Sequence, residues 1–205
     1  MLTLFGGMKA KTRKQRFCQL QAVVNQGLNA ATIELARDYL RDYPKHGVVW
    51  LDYGSALADF ARYDEARVAL SRASKHMRPE HLFLPYYHMG RLYERKGDYR
   101  RAAEWYRKAS KLAPDNASYL IFLGAVLVKA GELSEAKKCH QRATKCKEGA
   151  IDEAYYNLGG ILGAQGRYKE ALACFEKALE LDPKYKLARQ SAKDMRKVLE
   201  IKKRI

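Results

Sequence analysis

The feature that most limits how this chain can fold is a residue pattern that recurs about every 35 residues. Steps of 36, 34 and 35 residues join Gly54, Gly90, Gly124 and Gly159. The clearest copy, residues 152–185, has an aromatic residue, this glycine, an aliphatic residue, a break, and then a second apolar helix face before a proline. The pattern predicts helical hairpins that stack on one another, since a single hairpin cannot bury its apolar face alone.

Each recurring residue type has a packing role in the predicted hairpin. A glycine in the first helix and an alanine in the second let the helices cross closely, because larger side chains would separate them. The alanines are Ala66, Ala102, Ala136 and Ala171. A further glycine is predicted to end the first helix in a left-handed turn, a place that Ala61 holds in one copy. The glycines at this turn are Gly97, Gly131 and Gly166.

These residues together resemble the tetratricopeptide repeat (TPR) family. The resemblance implies an all-α fold, a right-handed α-solenoid of about five hairpins with a C-terminal capping helix, eleven helices in all. The predicted segments are a basic N-terminal segment at 1–12, a degenerate first repeat at 13–46, repeats at 47–82, 83–116, 117–151 and 152–185, and a basic amphipathic capping helix at 186–205.

The two end segments depart from the repeat pattern. The first repeat carries Leu20 where the other copies have the small residue of the first helix. Such an atypical copy is typical of a capping repeat. In the last helix one apolar seam is predicted, along Leu187, Ser191, Met195, Val198 and Lys202, with charges elsewhere. This helix is expected to cover the last hairpin.

Charge is concentrated at the two ends of the chain. The 205 residues include 39 Lys or Arg and 23 Asp or Glu, a formal net charge of +16. Residues 1–16 carry +5, residues 184–205 carry +7, and the residues between them carry +4. The basic ends are interpreted as solubilising segments, and the alternative is an anionic partner such as RNA, an acidic protein or a membrane surface.

The cysteines and the apolar runs indicate a reducing, cytoplasmic location. The four cysteines have no disulfide framework spacing, and Cys139 and Cys146 are seven residues apart on one helix face, too far to bridge. No apolar run approaches the roughly 20 residues of a membrane span. An organellar transit peptide is the alternative, since no acid precedes Glu34, and either Met1 or Met8 could be the initiator.

Candidate chemical motifs do not assemble into a catalytic or metal site. The glycine-rich stretch 159–166 lacks the spacing of a phosphate-binding loop. Cys139, His140 and Cys146 invite a zinc interpretation, but His140 points about 100° from the cysteine face of the helix. It also holds the core position of Phe175 in the clearest repeat, which predicts a buried structural histidine. We therefore predict no catalytic residues, no metal, no cofactor and no enzyme.

The TPR resemblance implies a ligand groove lined by the first helix of each hairpin. Its second, fifth, sixth, ninth, twelfth and thirteenth positions point into a concave face. The predicted peptide groove consists of Val48, Leu51, Ser55, Leu84, Tyr87, His88, Arg91, Arg95, Ser118, Ile121, Phe122, Ala125, Val128, Tyr156, Asn157, Gly160 and Gly163. The two glycines would leave a shallow floor beside Tyr156, unless they only ease helix contacts.

The groove composition indicates a class of partner. Chaperone-binding TPR domains hold a terminal carboxylate with lysine, asparagine and arginine, but the matching places here are Tyr87, Arg91, Phe122, Glu153 and Asn157. This departure disfavours Hsp70 or Hsp90 carboxylate-clamp binding. The prediction is a non-catalytic protein-protein interaction scaffold or adaptor for a peptide with apolar anchors and an acidic residue.

The alternative function involves nucleic acid. The segments 49–53 and 62–67 are also similar to half-a-TPR repeats of RNA-processing assemblies, and the basic surface would suit RNA. Nucleic acid is not favoured, because the later repeats fit the TPR pattern better.

Overall fold

The computed structural model describes residues 11–204, and these residues fold into eleven α-helices, one short 3₁₀ helix and no strand. The all-α class and the number of helices predicted from the repeats are therefore confirmed. The first ten residues of the predicted basic N-terminal segment, including both candidate initiators, lie outside the described residues. The helices are α1 Arg13–Asn25, α2 Asn29–Asp42, α3 Gly47–Asp59, α4 Tyr63–His76, α5 Phe83–Arg95, α6 Tyr99–Leu112, α7 Ala117–Lys129, α8 Leu133–Ala143, α9 Ile151–Ala164, α10 Tyr168–Leu181 and α11 Lys186–Arg204.

The chain divides into two compact units. The first unit runs to Pro79 and contains the hairpins α1–α2 and α3–α4, which are joined by packing of α2 on α3. The second unit begins at Glu80 and contains the hairpins α5–α6, α7–α8 and α9–α10. Within it α6 packs on α7, α8 packs on α9, and α11 packs on α10. Among the described helices, none combines the length and the apolar character that a membrane span requires.

The predicted close crossing of the two helices is confirmed in four hairpins. A β-carbon added at Gly54 would lie 2.9 Å from Leu70, and one added at Gly90 would lie 2.6 Å from the Tyr106 ring. The same holds at 2.5 Å for Gly124 against His140 and at 2.7 Å for Gly159 against Phe175. Each partner is 16 residues after its glycine, so the missing side chain accommodates one large residue of the second helix.

The first hairpin reverses the sizes of this pair. The equivalent positions, also 16 residues apart, are Leu20 in α1 and Ala36 in α2, and both are fully buried. Thr32 replaces the second-helix alanine and is 2 % exposed, with a hydroxyl that has no hydrogen-bond partner. In the degenerate repeat a large residue still packs against a small one, but the large residue is in the first helix and the small one is in the second.

The turn that ends each first helix has the predicted left-handed residue. Gly97, Gly131 and Gly166 have φ of 75°, 83° and 74°. Ala61 has φ 58° and is the one non-glycine residue with positive φ in the part of the chain that the structure describes. The next residue, Arg62, donates its N–H to the Leu57 carbonyl at 3.0 Å, which closes the turn as in the glycine copies.

The junction between α8 and α9 was not predicted. Helix α8 ends at Ala143, after 11 residues, whereas α6 and α10 have 14. The segment that follows runs beside the start of α7: the Ala117 N–H donates to the Glu148 carbonyl at 2.8 Å, and the Glu148 N–H donates to the Asp115 carbonyl at 3.1 Å. These bonds join the junction segment to the start of α7.

The predicted seam of α11 is correct in part: Ser191, Met195 and Val198 are half-buried, whereas Leu187 and Lys202 are exposed. The buried positions are Ala188 and Ala192, both fully buried, and Met195 packs against the last hairpin's core. Leu187 is 60 % exposed, and Lys202 is exposed with its Nζ 4.6 Å from the centre of the Tyr168 ring. The two alanines lie on the buried face of α11 because their small side chains let α11 approach α10 closely. A seam chosen by hydrophobicity alone includes the larger Leu187 instead.

Candidate functional site

The predicted groove positions of the second unit lie on α5, α7 and α9, the first helices of its three hairpins. Their side chains differ in how much they expose. The residues that keep at least partial exposure are Leu84, Tyr87, His88, Arg91, Arg95, Ser118, Phe122, Ala125, Val128, Tyr156, Asn157, Gly160 and Gly163. This set still contains apolar, aromatic and charged groups.

A pocket of about 370 Å³ lies between α7 and α9. Five predicted groove residues line it: Ala125, Val128, Tyr156, Asn157 and Gly160. Gly160 is exposed, and a β-carbon built on it would meet nothing within 4 Å, so open space stands above this part of α9. Val128 is 41 % exposed at the other side. The structure therefore brings these five residues around one concave space.

Side chains of two second helices and of the capping helix also line this pocket, and the sequence did not predict them. His140, Phe175 and Ser191 also line it, from α8, α10 and α11. The groove rule considered only first-helix positions. A signal was present nonetheless, since His140 and Phe175 each follow a first-helix glycine by 16 residues, and a side chain that crosses a glycine can reach the far side of the helix.

A cluster of four aromatic rings lies at α5, α6 and α7. The Phe122 ring centre is 5.0 Å from that of Tyr87 and 5.7 Å from that of Tyr106, with the latter pair stacked at 22°. Tyr119 adds an edge contact to Tyr87 at 5.7 Å. Tyr87 and Phe122 are half-buried, so their outer edges form a rigid aromatic wall.

The charged centre near this wall contains an acid as well as bases. Glu94 accepts a hydrogen bond from the Tyr106 hydroxyl at 2.9 Å and pairs with Lys129 at 2.7 Å. The hydrogen bond to Glu94 raises the pKa of Lys129, and burial, with the Glu94 charge, raises the pKa of Tyr106. The Arg91 guanidinium lies 5.9 Å from the centre of the Tyr87 ring. Glu94 is thus engaged by Tyr106 and Lys129, on the same helix as the predicted groove residues Arg91 and Arg95.

Two predicted groove residues cannot offer their side chains to a ligand. Ile121 is 2 % exposed and packs with Ala117, Leu120, Ala143 and Ala154. Leu51, in the first unit, is 7 % exposed. Periodicity placed both on the groove side, but the adjoining helices cover them.

Gly163 lies away from the open space above Gly160. A β-carbon there would be 3.7 Å from Met195 Sδ and 3.8 Å from Ala171 Cβ, which are ordinary contact distances. Gly163 thus faces the second helix and the capping helix, where a β-carbon would also fit.

In the first unit, polar side chains of α3 are already engaged. The Gln21 amide donates to Asp52 at 2.7 Å, and the Asn29 amide donates to Asp59 at 2.9 Å. Burial raises the pKa of Asp52 to about 6, against the opposing effect of the Gln21 hydrogen bond. Val48 is 39 % exposed and Ser55 is half-buried, so these two predicted groove residues remain accessible on α3.

His140 has the structural setting that the repeat alignment predicted. It is 1 % exposed, its Nδ1 has no hydrogen-bond partner, and burial lowers its pKa to about 4. Burial also raises the pKa of the neighbouring Cys139 thiol to about 11. Within residues 11–204 no group of three or more His, Cys, Asp or Glu side chains is placed to hold a metal ion.

Comparisons with known proteins agree with this architecture. The tetratricopeptide repeat family models match residues 152–185 and 83–116. Tetratricopeptide repeat protein 7A of Homo sapiens is 31 % identical over 65 % of this chain, which spans 15 % of that protein. Protein O-mannosyl-transferase TMTC1 of Homo sapiens is 32 % identical over 47 % of this chain, which spans 11 % of it.

A solved structure shows the same fold. YrrB, described as a TPR protein with an unusual peptide-binding site, has a TM-score of 0.65 and 18 % identity, covering 89 % of this chain and 92 % of its own. The close helix crossings, the left-handed turns and the two family matches together lead to one conclusion. The chain is a tetratricopeptide repeat protein.

Proposed function

We propose that the chain is a non-catalytic scaffold or adaptor that binds a peptide segment of a partner protein along α5, α7 and α9. The observation that carries this proposal is the pocket of about 370 Å³ above Gly160. The TPR fold of protein-interaction scaffolds supports it, and so does the description of YrrB as a peptide-binding TPR protein.

The chemistry of the pocket favours a peptide with apolar anchors and an acidic residue. Val128 and Tyr156 offer apolar area, and the Asn157 amide can both donate to and accept from a peptide backbone. Because Gly160 has no side chain, a ligand backbone can approach α9 closely. Lys129 lines the same pocket, and a ligand carboxylate there would share this cation with Glu94. Hsp70 or Hsp90 clamp binding stays disfavoured, since these residues are not those of a clamp.

The states of the potentially reactive side chains support a non-catalytic role. The Cys139 thiol has a raised pKa of about 11 and the His140 imidazole is buried with a pKa of about 4, so neither is poised as a nucleophile or base at neutral pH. The transferase relative does not change this proposal, because the chain spans 11 % of that protein. The free cysteines of the described residues favour a reducing, cytoplasmic location.

A glycine substitution tests the groove without damaging the fold. Gly160→Leu would place a side chain in open space, and a helix-interior glycine is less stable than other residues by roughly 0.5–1 kcal/mol, so folding should not suffer. The probe is a set of 12-residue peptides selected from a random displayed library on the wild-type protein. We expect Gly160→Leu to weaken their binding at least tenfold in fluorescence polarisation, because the added side chain fills the pocket.

The matched control is Ala173→Leu, at an exposed position of α10 that does not line the pocket. It should bind the selected peptides as the wild type does. Equal binding by both leucine variants would refute the groove. A library without enrichment, together with a uridine dodecamer bound below micromolar at physiological salt, would favour the nucleic-acid alternative.

A further inference from the structure

The first unit contains a cleft that the predicted groove does not include. It has a volume of about 570 Å³ and lies between α2 and α4, with α3 as its floor. Its apolar lining consists of Leu40, Pro44, Trp50, Tyr53, Val68 and Ala69. The cleft is on the side of the second helices, so it shares no residue with the α3 groove positions Val48 and Ser55.

The aromatic floor of the cleft is held in place before any ligand arrives. The Trp50 indole N–H donates to the Pro44 carbonyl at 2.7 Å. The Arg72 guanidinium lies 4.7 Å from the centre of the Trp50 ring, and the Tyr53 ring centre is 6.0 Å away. These contacts fix the orientation of the indole, so binding would cost little side-chain ordering.

In the second unit, the equivalent gap between α6 and α8 is bridged by an ion pair. There Arg107 of α6 pairs with Glu135 of α8 at 2.7 Å. By the repeat register the corresponding residues are Arg37 and Glu65. Arg62 contacts both Glu65 oxygens, at 2.7 and 2.6 Å, so Glu65 turns toward its own helix start, and Arg37 is left on the cleft rim. The α2–α4 cleft therefore stays open.

Val68 adds an exposed apolar side chain at the edge of this cleft. It is 46 % exposed and lines the cleft. The equivalent positions of the later second helices are Glu104, Lys138 and Ala173. Val68 is thus the one large apolar residue among these four positions, and its exposed side chain can contact an apolar group of a ligand.

The charges around the cleft select the partner. Four arginines line it, Arg37, Arg41, Arg67 and Arg72, against the two acids Asp64 and Glu65, and Arg41 is itself paired with Asp38 at 2.9 Å. Glu65 is already paired with Arg62, so the rim favours carboxylates. A phosphate backbone or a lipid headgroup would not use the apolar floor. We propose that this cleft docks an acidic linear segment of a partner protein, which inserts one apolar side chain against Val68 beside Trp50 and pairs its carboxylates with the arginine rim.

The two tryptophans of the chain provide an internal control for the test. Trp50 lies in the cleft, and Trp105 lies on α6 in the second unit. The probe is a blocked decapeptide with one central leucine flanked by glutamates and aspartates. The two indole signals are assigned in NMR spectra of the ¹⁵N-labelled full chain with a Trp105→Phe variant. We expect the peptide to shift the Trp50 indole signal and to leave that of Trp105 unchanged. The expected dissociation constant is on the order of 100 µM or below.

Matched substitutions locate the binding. Val68→Glu should weaken binding of the decapeptide at least tenfold. Leu112→Glu should have no effect on this binding, although Leu112 of α6 is as exposed as Val68, at 46 %. Arg41→Glu, at a side chain that is 73 % exposed, provides a second variant if Val68→Glu lowers the helical circular dichroism. Gly160→Leu should bind the decapeptide normally, which separates this site from the groove.

Three results would overturn the proposal. One is the absence of any Trp50 shift with the acidic peptide. Another is equal binding of a peptide whose acids are replaced by their amides, or whose leucine is replaced by serine. The third is a Trp50 shift caused by a uridine decamer and not by the peptide, which would assign the cleft to nucleic acid.

Discussion

At the scale of single residues, His140 lies at a position where the repeat requires a large side chain but accepts a polar one. The side chain that crosses the first-helix glycine must be large, and Tyr106, Phe175 and Leu70 meet this need in the other copies. The imidazole of His140 has the right flat shape, but its Nδ1 has no partner. A buried polar group without a hydrogen bond costs about 1–3 kcal/mol, so this copy is expected to be less stable than its neighbours.

Replacing His140 by Phe should therefore remove a pH dependence. The folded pKa of about 4 lies below the ordinary value of 6.5, so between these values the unfolded chain binds a proton that the folded chain does not. Stability is then complete above about pH 6.5 and falls as the pH is lowered toward 4, by about 3 kcal/mol in all. We expect urea unfolding at pH 7.5 and 4.5 to show a smaller loss for His140→Phe than for the wild type.

The effect of His140 is the difference between the variant and the wild type in how the free energy of unfolding changes with pH. Asp52 has a pKa raised to about 6, so it acts in the opposite sense over a similar range: its contribution falls as the pH rises from about 4 to 6. This background is common to both proteins. The reciprocal change Phe175→His should introduce the same acid sensitivity in the last hairpin. Parallel pH curves for wild type and His140→Phe would show that the imidazole is not the group responsible.

For single residues, the sequence gives a correct prediction where one contact determines the residue type at a position. The 16-residue step predicted that His140 occupies the place of Phe175, since the glycine leaves space for one ring. It failed for Ile121, because the junction segment around Glu148 shortens α8 and brings α9 against α7. A helical period gives the direction of a side chain on its own helix, but not what the next helix covers.

At the scale of helices, the capping helix α11 is held by small residues. Ala188 and Ala192 are fully buried, and the Arg196–Glu176 ion pair at 2.7 Å joins α11 to α10 at the surface. Exposed pairs of this kind contribute little, so the close alanine contact is the main interaction. The sequence predicted the helix, its partner and part of its buried face, but not the two alanines, because hydrophobicity alone ranks leucine above alanine.

Enlarging Ala192 should loosen this cap. Ala192→Leu adds volume to a fully packed contact, and overpacking of this kind costs about 1–3 kcal/mol. Lys193→Leu makes the same leucine at the adjacent exposed position and should leave stability nearly unchanged. Thermal unfolding followed by circular dichroism measures the difference. Equal melting temperatures for the two variants would mean that Ala192 does not face α10.

At the scale of the whole molecule, the two proposed binding surfaces lie in different units. The groove of the second unit uses first helices, and the cleft of the first unit uses second helices. The sequence predicted the groove because the family resemblance supplies a rule for first-helix positions. It did not predict the cleft, which depends on residues of two successive hairpins and on the hydrogen bond that orients Trp50.

The excess positive charge is the remaining whole-molecule property. Lys193, Lys197 and Lys203 are exposed on α11, whereas Lys202 and Arg196 contact Tyr168 and Glu176. If these three lysines only solubilise the chain, replacing them by Gln should leave the affinity of groove-selected peptides within about twofold across the salt range, since charge outside a contact mainly changes the encounter rate. The matched control replaces Lys75, Lys111 and Lys145, three exposed lysines at equivalent places on other hairpins.

The same variants decide whether α11 contacts an anionic polymer. A single-stranded RNA bound through these lysines would lose about 0.7 units of slope in log affinity against log salt for each neutralised contact, and only in the α11 variant. We expect instead weak binding of a uridine dodecamer with the same slope in both variants. Binding below micromolar at physiological salt that the α11 variant loses and the control keeps would replace the peptide scaffold by a nucleic-acid partner.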